Sequence, residues 1–200
     1  MKNYPTIARK IRTYLLGALI LLGTSEALVF ILLAAFWVKP AFSQTNFREV
    51  NVVEVAVFSL PKNASNVAPG TKRVASDNST YVIPKSATAA NIGNIFIQLN
   101  GATGNTDPNY LQNLENNFKA LDKSLGGKSG WNFINKFFND YHLLLIEQLH
   151  PYDANNAKYT FFCLSKDKRS VVSGAIEFPM KERLSGKREL DKLLSSIHFK

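Results

Sequence analysis

Residues 141–153 read YHLLLIEQLHPYD, and this stretch decides both the fold and the class of protein. As a strand, it places alternate side chains on opposite faces, so His142 and His150 share one face and Glu147 lies on the other. The two histidines are then roughly 26 Å apart at about 3.3 Å per residue, too far for both to bind one metal ion. As a helix, the stretch lacks the H-E-x-x-H spacing of a zinc site. The residues therefore predict a buried strand with polar ends.

The neighbouring segments extend this strand into a sheet. Residues 131–138, 158–165 (KYTFFCLS) and 170–178 (SVVSGAIEF) are apolar or β-branched and are separated by short turns. Consecutive runs of this kind predict an antiparallel meander. Cys163 lies between bulky residues in this meander, and we expect it to be a small buried hydrophobe rather than a nucleophile.

Residues 51–60, NVVEVAVFSL, predict one strand that ends at Pro61, and residues 62–77 predict a loop. Residues 81–84 predict a short strand, and residues 92–99 predict a strand that is closed by a turn at Asn100-Gly101.

Two amphipathic helices are expected. Asp107 and Pro108 suit a helix start, because Asp can cap free amides and Pro loses no hydrogen bond there. The apolar stripe of this helix is Leu111, Leu114, Phe118, Leu121 and Leu125, and Gly126-Gly127 ends it. Residues 185–197 predict the second helix, with its apolar stripe at Leu190, Leu193, Leu194 and Ile197.

The fold class predicted from these elements is α+β. A mainly antiparallel sheet carries two amphipathic helices, in an α/β/α sandwich, and an N-terminal hydrophobic helix precedes it. We expect residues 44–200 to be a single extracytoplasmic domain and residues 1–43 to be a signal peptide or signal anchor.

The N-terminal expectation rests on charge and apolar length. Residues 1–14 carry four positive charges and no acid, and residues 15–38 are apolar apart from Glu26. A basic flank before a long apolar run is typical of an export signal. Small residues at 41 and 43 favour cleavage before Gln44, whereas the length of the run suits a membrane span. Both outcomes place the rest of the chain in the periplasm or outside the cell, anchored in the inner membrane if residues 15–38 remain.

The formal charge of +9 is unevenly distributed. Residues 1–43 contribute 5 − 1 = +4, and residues 166–200 contribute 9 − 5 = +4, so the C-terminal part is basic. A basic surface attracts anionic lipid, polyanionic glycan or an acidic partner, although a solvated lysine-rich surface has the same pattern. The candidate partner-binding or anion-binding residues are Lys166, Lys168, Arg169, Lys181, Arg183, Lys187 and Arg188.

Motifs that carry chemistry are scarce. The sequence has no G-x-S-x-G elbow, no phosphate loop and no paired cysteines, so no cofactor and no metal site are predicted. One catalytic alternative remains open, an envelope hydrolase assembled from distant residues. Its candidates are His142 or His150 with Asp140, Glu147 or Asp153. The aromatic residues Trp131, Phe133, Phe137 and Phe138 could line a pocket or a membrane-facing patch, and core packing is the default expectation.

A strand ending FSLPKN, a strand NIFIQL, a capped helix, a β meander and the closing LDKLLSSIHF together resemble the Mog1/PsbP-like α/β/α sandwich family. In many exported members the closing helix runs into a Ser-Ile-Lys-Phe-like end, which here reads Ser196-Ile197-His198-Phe199. The resemblance covers about residues 53–200 and implies a non-catalytic accessory or interaction protein. This chain departs from the lipoprotein members in lacking a cysteine at the signal junction, so attachment by lipid is not expected. It also lacks the tryptophan often found soon after the FSLP-like strand.

We therefore expect a non-catalytic envelope protein that holds an unidentified protein partner or an anionic surface and does not bind nucleic acid. An immunity-type inhibitor of a secreted toxin belongs to the same binding class. The N-terminal segment is expected to contact the membrane if it is not cleaved.

Overall fold

The computed structural model describes residues 46–74, 80–104, 106–127, 129–138, 140–149 and 155–200. The predicted signal or anchor segment, residues 1–43, lies outside the described residues. Residues Asn46–Lys200 form one compact unit. The strands are β1 Phe47–Val52, β2 Ala56–Pro61, β3 Ser65–Val67, β4 Lys72–Val74, β5 Thr80–Val82, β6 Thr88–Ile92, β7 Ile95–Thr103, β8 Trp131–Phe138, β9 Tyr141–Gln148, β10 Asn156–Ser165, β11 Ser170–Pro179 and β12 His198–Phe199. The helices are α1 Tyr110–Ser124 and α2 Arg183–Ser196, with a 3₁₀ turn at Met180–Glu182 before α2.

A seven-stranded antiparallel sheet in the order β3-β6-β7-β11-β10-β9-β8 is the centre of the domain. We call its two sides the inner and the outer face. The inner face packs against α2 and against a second sheet of order β1-β2-β12. The outer face packs against α1 at one end and against the β4–β5 hairpin at the other. The predicted α+β class with two helices on a mainly antiparallel sheet is confirmed.

Alternation along β9 shows how the sequence assigns the two faces. Leu143 and Leu145 belong to the inner core, while Leu144 and Ile146 pack with Leu111 of α1 on the outer face. All four side chains of β9 are buried, because both faces of this central strand are covered. Each such side chain contributes about 1.5–3 kcal/mol of burial free energy. The predicted buried strand and its meander are confirmed.

The single strand predicted over residues 51–60 is wrong, because this segment is a β-hairpin. β1 and β2 pair antiparallel from Phe47↔Pro61 to Val52↔Ala56. Val53 and Glu54 form the turn with φ of 41° and 57°, and the Val55 amide donates to the Val52 carbonyl at 2.8 Å. A β-branched residue at positive φ is rare, so the apolar run gave no turn signal.

The turn predicted at Asn100-Gly101 is also wrong. β7 continues through both residues to Thr103, and β11 pairs with it there, opposite Ser173 and Val172. The turn lies at the other end of the run, between Ile92 and Ile95, where Gly93 has φ of 58°. The residues from 62 to 74, predicted as loop, contain the short strands β3 and β4.

Helix α1 begins at Tyr110 and not at Asp107-Pro108. The Asp107 carboxylate still satisfies a free amide, since it accepts hydrogen bonds from the Asn109 amide at 2.8 Å and from Asn113 Nδ2 at 2.9 Å. Gly126 and Gly127 follow the helix with φ of 79° and 67°, as predicted.

Helix α2 covers most of the predicted residues 185–197 but begins at Arg183 and ends at Ser196. Leu190, Leu193 and Leu194 are buried on the inner face. Ile197 has extended backbone, and His198–Phe199 then pairs with Val57 and Ala56 of β2.

Candidate functional site

The predicted histidine and carboxylate candidates do not meet on β9. His142 is exposed on the outer face, and its ring packs edge-on against Phe137 with centroids 4.8 Å apart. The Glu147 carboxylate accepts a hydrogen bond from Asn132 Nδ2 at 2.9 Å. His150 and Asp153 lie outside the described residues.

The single cysteine is buried as predicted, with 0% of its surface exposed. Burial raises the pKa of the Cys163 thiol far above its usual range, which keeps the thiol protonated. The Tyr141 hydroxyl next to it donates to the Leu194 carbonyl at 2.6 Å, and burial also raises the pKa of this phenol. These groups hold α2 against the inner face.

A cleft of about 620 Å³ opens where the β8–β9 turn, the β10–β11 turn and the segment after α2 meet. It brings Asp140 and Lys166, both candidates from the sequence, together with His198. No hydrogen bond or ion pair joins His198 to a carboxylate within the described part of the chain. The lining residues are Asp140, Tyr141, Ser165, Lys166, Asp167, Ile197, His198, Phe199 and Lys200.

Two polar side chains of this cleft, Ser165 and Asp167, form hydrogen bonds within the β10–β11 turn. The Ser165 hydroxyl donates to Asp167 at 2.6 Å, and the Arg169 amide donates to the same carboxylate at 3.1 Å. These hydrogen bonds hold the pKa of Asp167 below its usual range. The carboxylate is therefore charged at neutral pH and serves to order the turn.

The seven basic candidates form two separate groups. Three belong to the β10–β11 turn, and the other four follow β11 at its opposite end. The ten residues of β11 separate them by roughly 30 Å at about 3.3 Å per residue. Lys187 forms an ion pair with Asp191 at 3.0 Å. Binding by either group stays a prediction. The turn group is Lys166, Lys168 and Arg169, and the α2 group is Lys181, Arg183, Lys187 and Arg188.

A charged cluster that the sequence did not reveal lies on the outer face under the β4–β5 hairpin. Glu177 is 8% exposed and faces Lys158 Nζ at 3.4 Å and Arg73 Nη2 at 4.0 Å. The Arg73 guanidinium stacks 3.5 Å from the centroid of the Phe96 ring. Burial, and then the charge of Glu177, raises the pKa of Tyr81, which lies beside Arg73 on the hairpin. We call Arg73, Phe96, Lys158 and Glu177 the Glu177 cluster.

The Glu177 cluster fixes which side of the hairpin faces outward. Arg73 and Tyr81 are cross-strand partners, and both point toward the sheet. Their neighbours Val74 and Val82 therefore point away from it, and they are 61% and 52% exposed. The hairpin presents two valines to its surroundings on a support tied to the sheet.

Other apolar side chains on the outer side are exposed as well. The buried stripe of α1 continues into Leu121 and Leu125, which are 47% and 44% exposed. Phe137 on β8 is 54% exposed, so the expected core role of the four aromatic residues is wrong for this one. Trp131, Phe133 and Phe138 are half-buried against the core clusters, as expected.

The described part of the chain is an α+β sandwich. The solved structures that the chain is similar to include the Ran-binding protein Mog1p from Saccharomyces cerevisiae and the cyanobacterial PsbP (CyanoP) from Synechocystis sp. PCC 6803. The first is 9% identical with a TM-score of 0.42, over 76% of this chain and 95% of that one. The second is 9% identical with a TM-score of 0.45, over 80% of this chain and 96% of that one. The resemblance stated from the sequence is thereby confirmed as a resemblance of fold.

No protein-family model matches the chain, and no curated protein matches it. Among the described residues, no helix has the length and apolar character needed to cross a membrane. No group of three or more His, Cys, Asp or Glu residues suited to a metal ion occurs in that same part of the chain.

Proposed function

We propose that this chain is a non-catalytic accessory protein that holds a protein partner through the outward side of the β4–β5 hairpin. The observation that carries the proposal is the exposed pair Val74 and Val82 on a hairpin that Arg73 and Glu177 attach to the sheet. Valine side chains have few rotamers, so ordering them on binding costs little conformational entropy, which favours recognition of another protein.

The state of the polar groups supports a binding role over chemistry. The thiol of Cys163 is buried and protonated, the Asp167 carboxylate is bonded within its own turn, and His142 packs on a phenylalanine. Cys163 and Asp167 therefore contribute to the fold, and catalysis needs side chains that can exchange protons with a substrate.

The binding surface can be tested with a matched control on the opposite side of the domain. The double variant Val74→Asp, Val82→Asp places two carboxylates on the hairpin, while Leu184→Asp places one on α2 at a residue that is 83% exposed. Full-length chains are coupled to beads and exposed to envelope extract at low and high salt. A protein retained by the wild type and by Leu184→Asp, and lost by the double variant, supports the proposal. Equal retention by the wild type and by both variants contradicts it.

The location in the cell envelope is a further part of the proposal, supported by the basic residues before the apolar run at residues 15–38. Cell fractionation followed by N-terminal sequencing tests it. We expect the domain outside the cytoplasm, with a mature N-terminus at Gln44 if the segment is cleaved. Recovery of the intact chain from the cytosol contradicts this location.

An anionic surface is the other ligand class for the basic groups. Sedimentation with vesicles of anionic lipid and of neutral lipid, at two salt concentrations, separates this role from protein binding. Salt-sensitive binding to anionic vesicles that is lost in Lys166→Ala, Lys168→Ala, Arg169→Ala assigns it to the β10–β11 turn.

The hydrolase alternative keeps a specific location to test, the cleft that holds His198 and Asp140. The test is whether the wild type hydrolyses an envelope-derived ester, amide or glycoside and whether His198→Ala abolishes that activity. Both results together would establish an enzyme and overturn the non-catalytic role.

A further inference from the structure

The outermost strand β8 presents a long edge without the usual protection. β8 ends the seven-stranded sheet and pairs with β9 without interruption from Trp131 to Phe138. It contains no proline and no bulge, and Lys136 is its one charged residue. Natural sheets protect exposed edges by such devices or by keeping the edge strand short. The opposite edge strand, β3, has three residues, whereas β8 has eight. Among the described residues, no strand pairs with the free side of β8.

The register shows which backbone groups the edge offers. Two residues separate Phe138 from its partner Tyr141, so this flanking pair exchanges hydrogen bonds across the hairpin. The amides and carbonyls that point to β9 therefore belong to the even-numbered residues of β8. Those of the odd-numbered residues point to the free edge. Trp131 agrees with this assignment, because its amide donates to Ser129 Oγ at 3.2 Å.

We propose that β8 pairs antiparallel with β8 of a second copy of this chain, around a two-fold axis at Ile134. This pairing joins two seven-stranded sheets into one, and each copy provides the same surface, as a two-fold interface requires. A second copy is the occupant because the side chains of β8 are complementary to those of β8 itself.

The complementarity lies in three cross-strand pairs. Trp131 faces Phe137 of the second copy on the outer face, and this aromatic pair forms twice. It covers the exposed ring of Phe137. Lys136 faces Asn132 of the second copy on the inner face, so the two lysines do not face each other. At the two-fold axis, Ile134 faces Ile134 of the second copy.

The neighbouring two-fold registers fit less well. An axis at Asn135 places Lys136 opposite Ile134 of the second copy, and Trp131 falls beyond the last residue of the strand. An axis at Phe133 leaves Phe137 beyond the end of the partner strand. The Ile134 register alone among these three pairs Trp131 with Phe137 and gives Lys136 a polar partner in the second copy.

Disulfide formation tests both the pairing and its register. Facing residues in a non-hydrogen-bonded pair have Cα atoms about 4.5 Å apart, within the range that a disulfide bridges. In the full-length chain in mild detergent, under mild oxidant, Ile134→Cys is expected to give a species of twice 22.3 kDa on a non-reducing gel. The native Cys163 does not interfere, because it is 0% exposed.

The controls use the exposed neighbours on the same face. Asn132→Cys and Lys136→Cys are each expected to stay monomeric on the gel, because each faces the other residue in the second copy. The double variant Asn132→Cys, Lys136→Cys is expected to cross-link, and it leaves the core unchanged if Ile134→Cys fails to fold. Absence of cross-linking in both Ile134→Cys and the double variant, with wild-type circular dichroism, overturns the proposal.

A second measurement removes the pairing without new cysteines. Phe137 has its amide on the free edge, so Phe137→Pro keeps every hydrogen bond to β9 and removes a donor from the edge. Light scattering after gel filtration is expected to give twice the mass of one chain for the wild type. Phe137→Pro is expected to give the mass of one chain, which is half the molar mass expected for the wild type. The proposal would also be overturned if the wild type has the mass of one chain and β8 cross-links to a different protein in extract.

Discussion

The two faces of the seven-stranded sheet are built differently. The inner face is closed by α2 and the β1-β2-β12 sheet around fully buried aromatic and aliphatic side chains such as Phe161, Ile176 and Leu190. The outer face is closed only in places, with three buried side chains of the sheet under Leu111 of α1 and a second small cluster under the β4–β5 hairpin. Apolar residues of both outer elements reach the surface. The inner face therefore has the larger continuous core, whereas the outer elements leave more apolar side chains at the surface.

Two leucines, one on each helix, test this difference with the largest expected effect. Leu193 of α2 is 2% exposed on the inner face, and Leu121 of α1 is 47% exposed on the outer side. Leu193→Ala is expected to lower the free energy of unfolding by about 2–5 kcal/mol, because it leaves a cavity in the core. Leu121→Ala is expected to change it by about 0.5 kcal/mol or less. Urea unfolding measures both, and equal losses would refute the contrast between the faces.

A glycine on α2 tests how tightly the inner face is packed. A Cβ on Gly186 would lie 2.6 Å from two ring atoms of Phe178. Gly186→Ala is therefore expected to destabilise the domain by about 1–3 kcal/mol, since the ring must move. In an open helix the same change stabilises by about 1 kcal/mol. Thermal unfolding decides the sign, and a stabilised variant would show that α2 packs loosely.

The hydroxyl of Tyr141 tests the polar contribution to the inner face. Tyr141→Phe removes the hydrogen bond to the Leu194 carbonyl and leaves that carbonyl without this partner. A loss of about 1–2 kcal/mol is expected, with no change in the aromatic packing against Phe199. Urea unfolding of the variant measures the loss. An unchanged midpoint would mean that water replaces the hydroxyl.

The smallest effect is expected for Glu115, which joins α1 to β8 on the outer face. Hydrogen bonds from Lys119 at 2.6 Å and from Asn135 Nδ2 at 2.8 Å lower the pKa of this carboxyl. A lowered folded-state pKa gives stability that is present above the unfolded-state pKa and lost as the pH falls through the folded-state value. Glu115→Gln is therefore expected to lose less stability than the wild type between neutral and acidic pH.

The pH series needs one control, Glu49→Gln on β1, for which no equivalent carboxylate contact is present in the described structure. If Glu115→Gln and Glu49→Gln change the pH dependence equally, the ion pair on α1 does not stabilise the outer face. The expected difference is at most about 1 kcal/mol, since Lys119 is half exposed.

The sequence predicted those parts of the fold that have a local signal. Alternation in β9 and β10, the helix stripes and the glycines after α1 each act within a few residues. The structure has the alternation, the glycines and most of each stripe, while Leu121 and Leu125 are exposed and Ile197 follows α2. The turn at Val53-Glu54 was missed because neither residue is a usual turn former, and the turn predicted at Asn100-Gly101 was overridden by pairing with β11. Pairing partners outside the local segment decide such cases.

The features of the candidate surfaces had weaker signals. The Glu177 cluster joins residues 73, 158 and 177, whose proximity depends on the hairpin folding back over β7 and β11. His198 enters the cleft only because the segment after α2 pairs with β2. Charge counting indicated a basic C-terminal part, but it could not show that β11 divides its residues into two groups.

The pairing of β2 with β12 has a consequence for the order of folding. β2 lies near the start of the domain, and its partner at His198–Phe199 follows almost the whole of the remaining chain. Whether the chain emerges from a ribosome or from a translocon, the β1–β2 hairpin emerges long before its third strand, so the small sheet stays incomplete until residues 198–199 emerge. Contacts so distant along the polypeptide slow folding, and a nascent domain with an unpaired strand is the kind of species that chaperones bind.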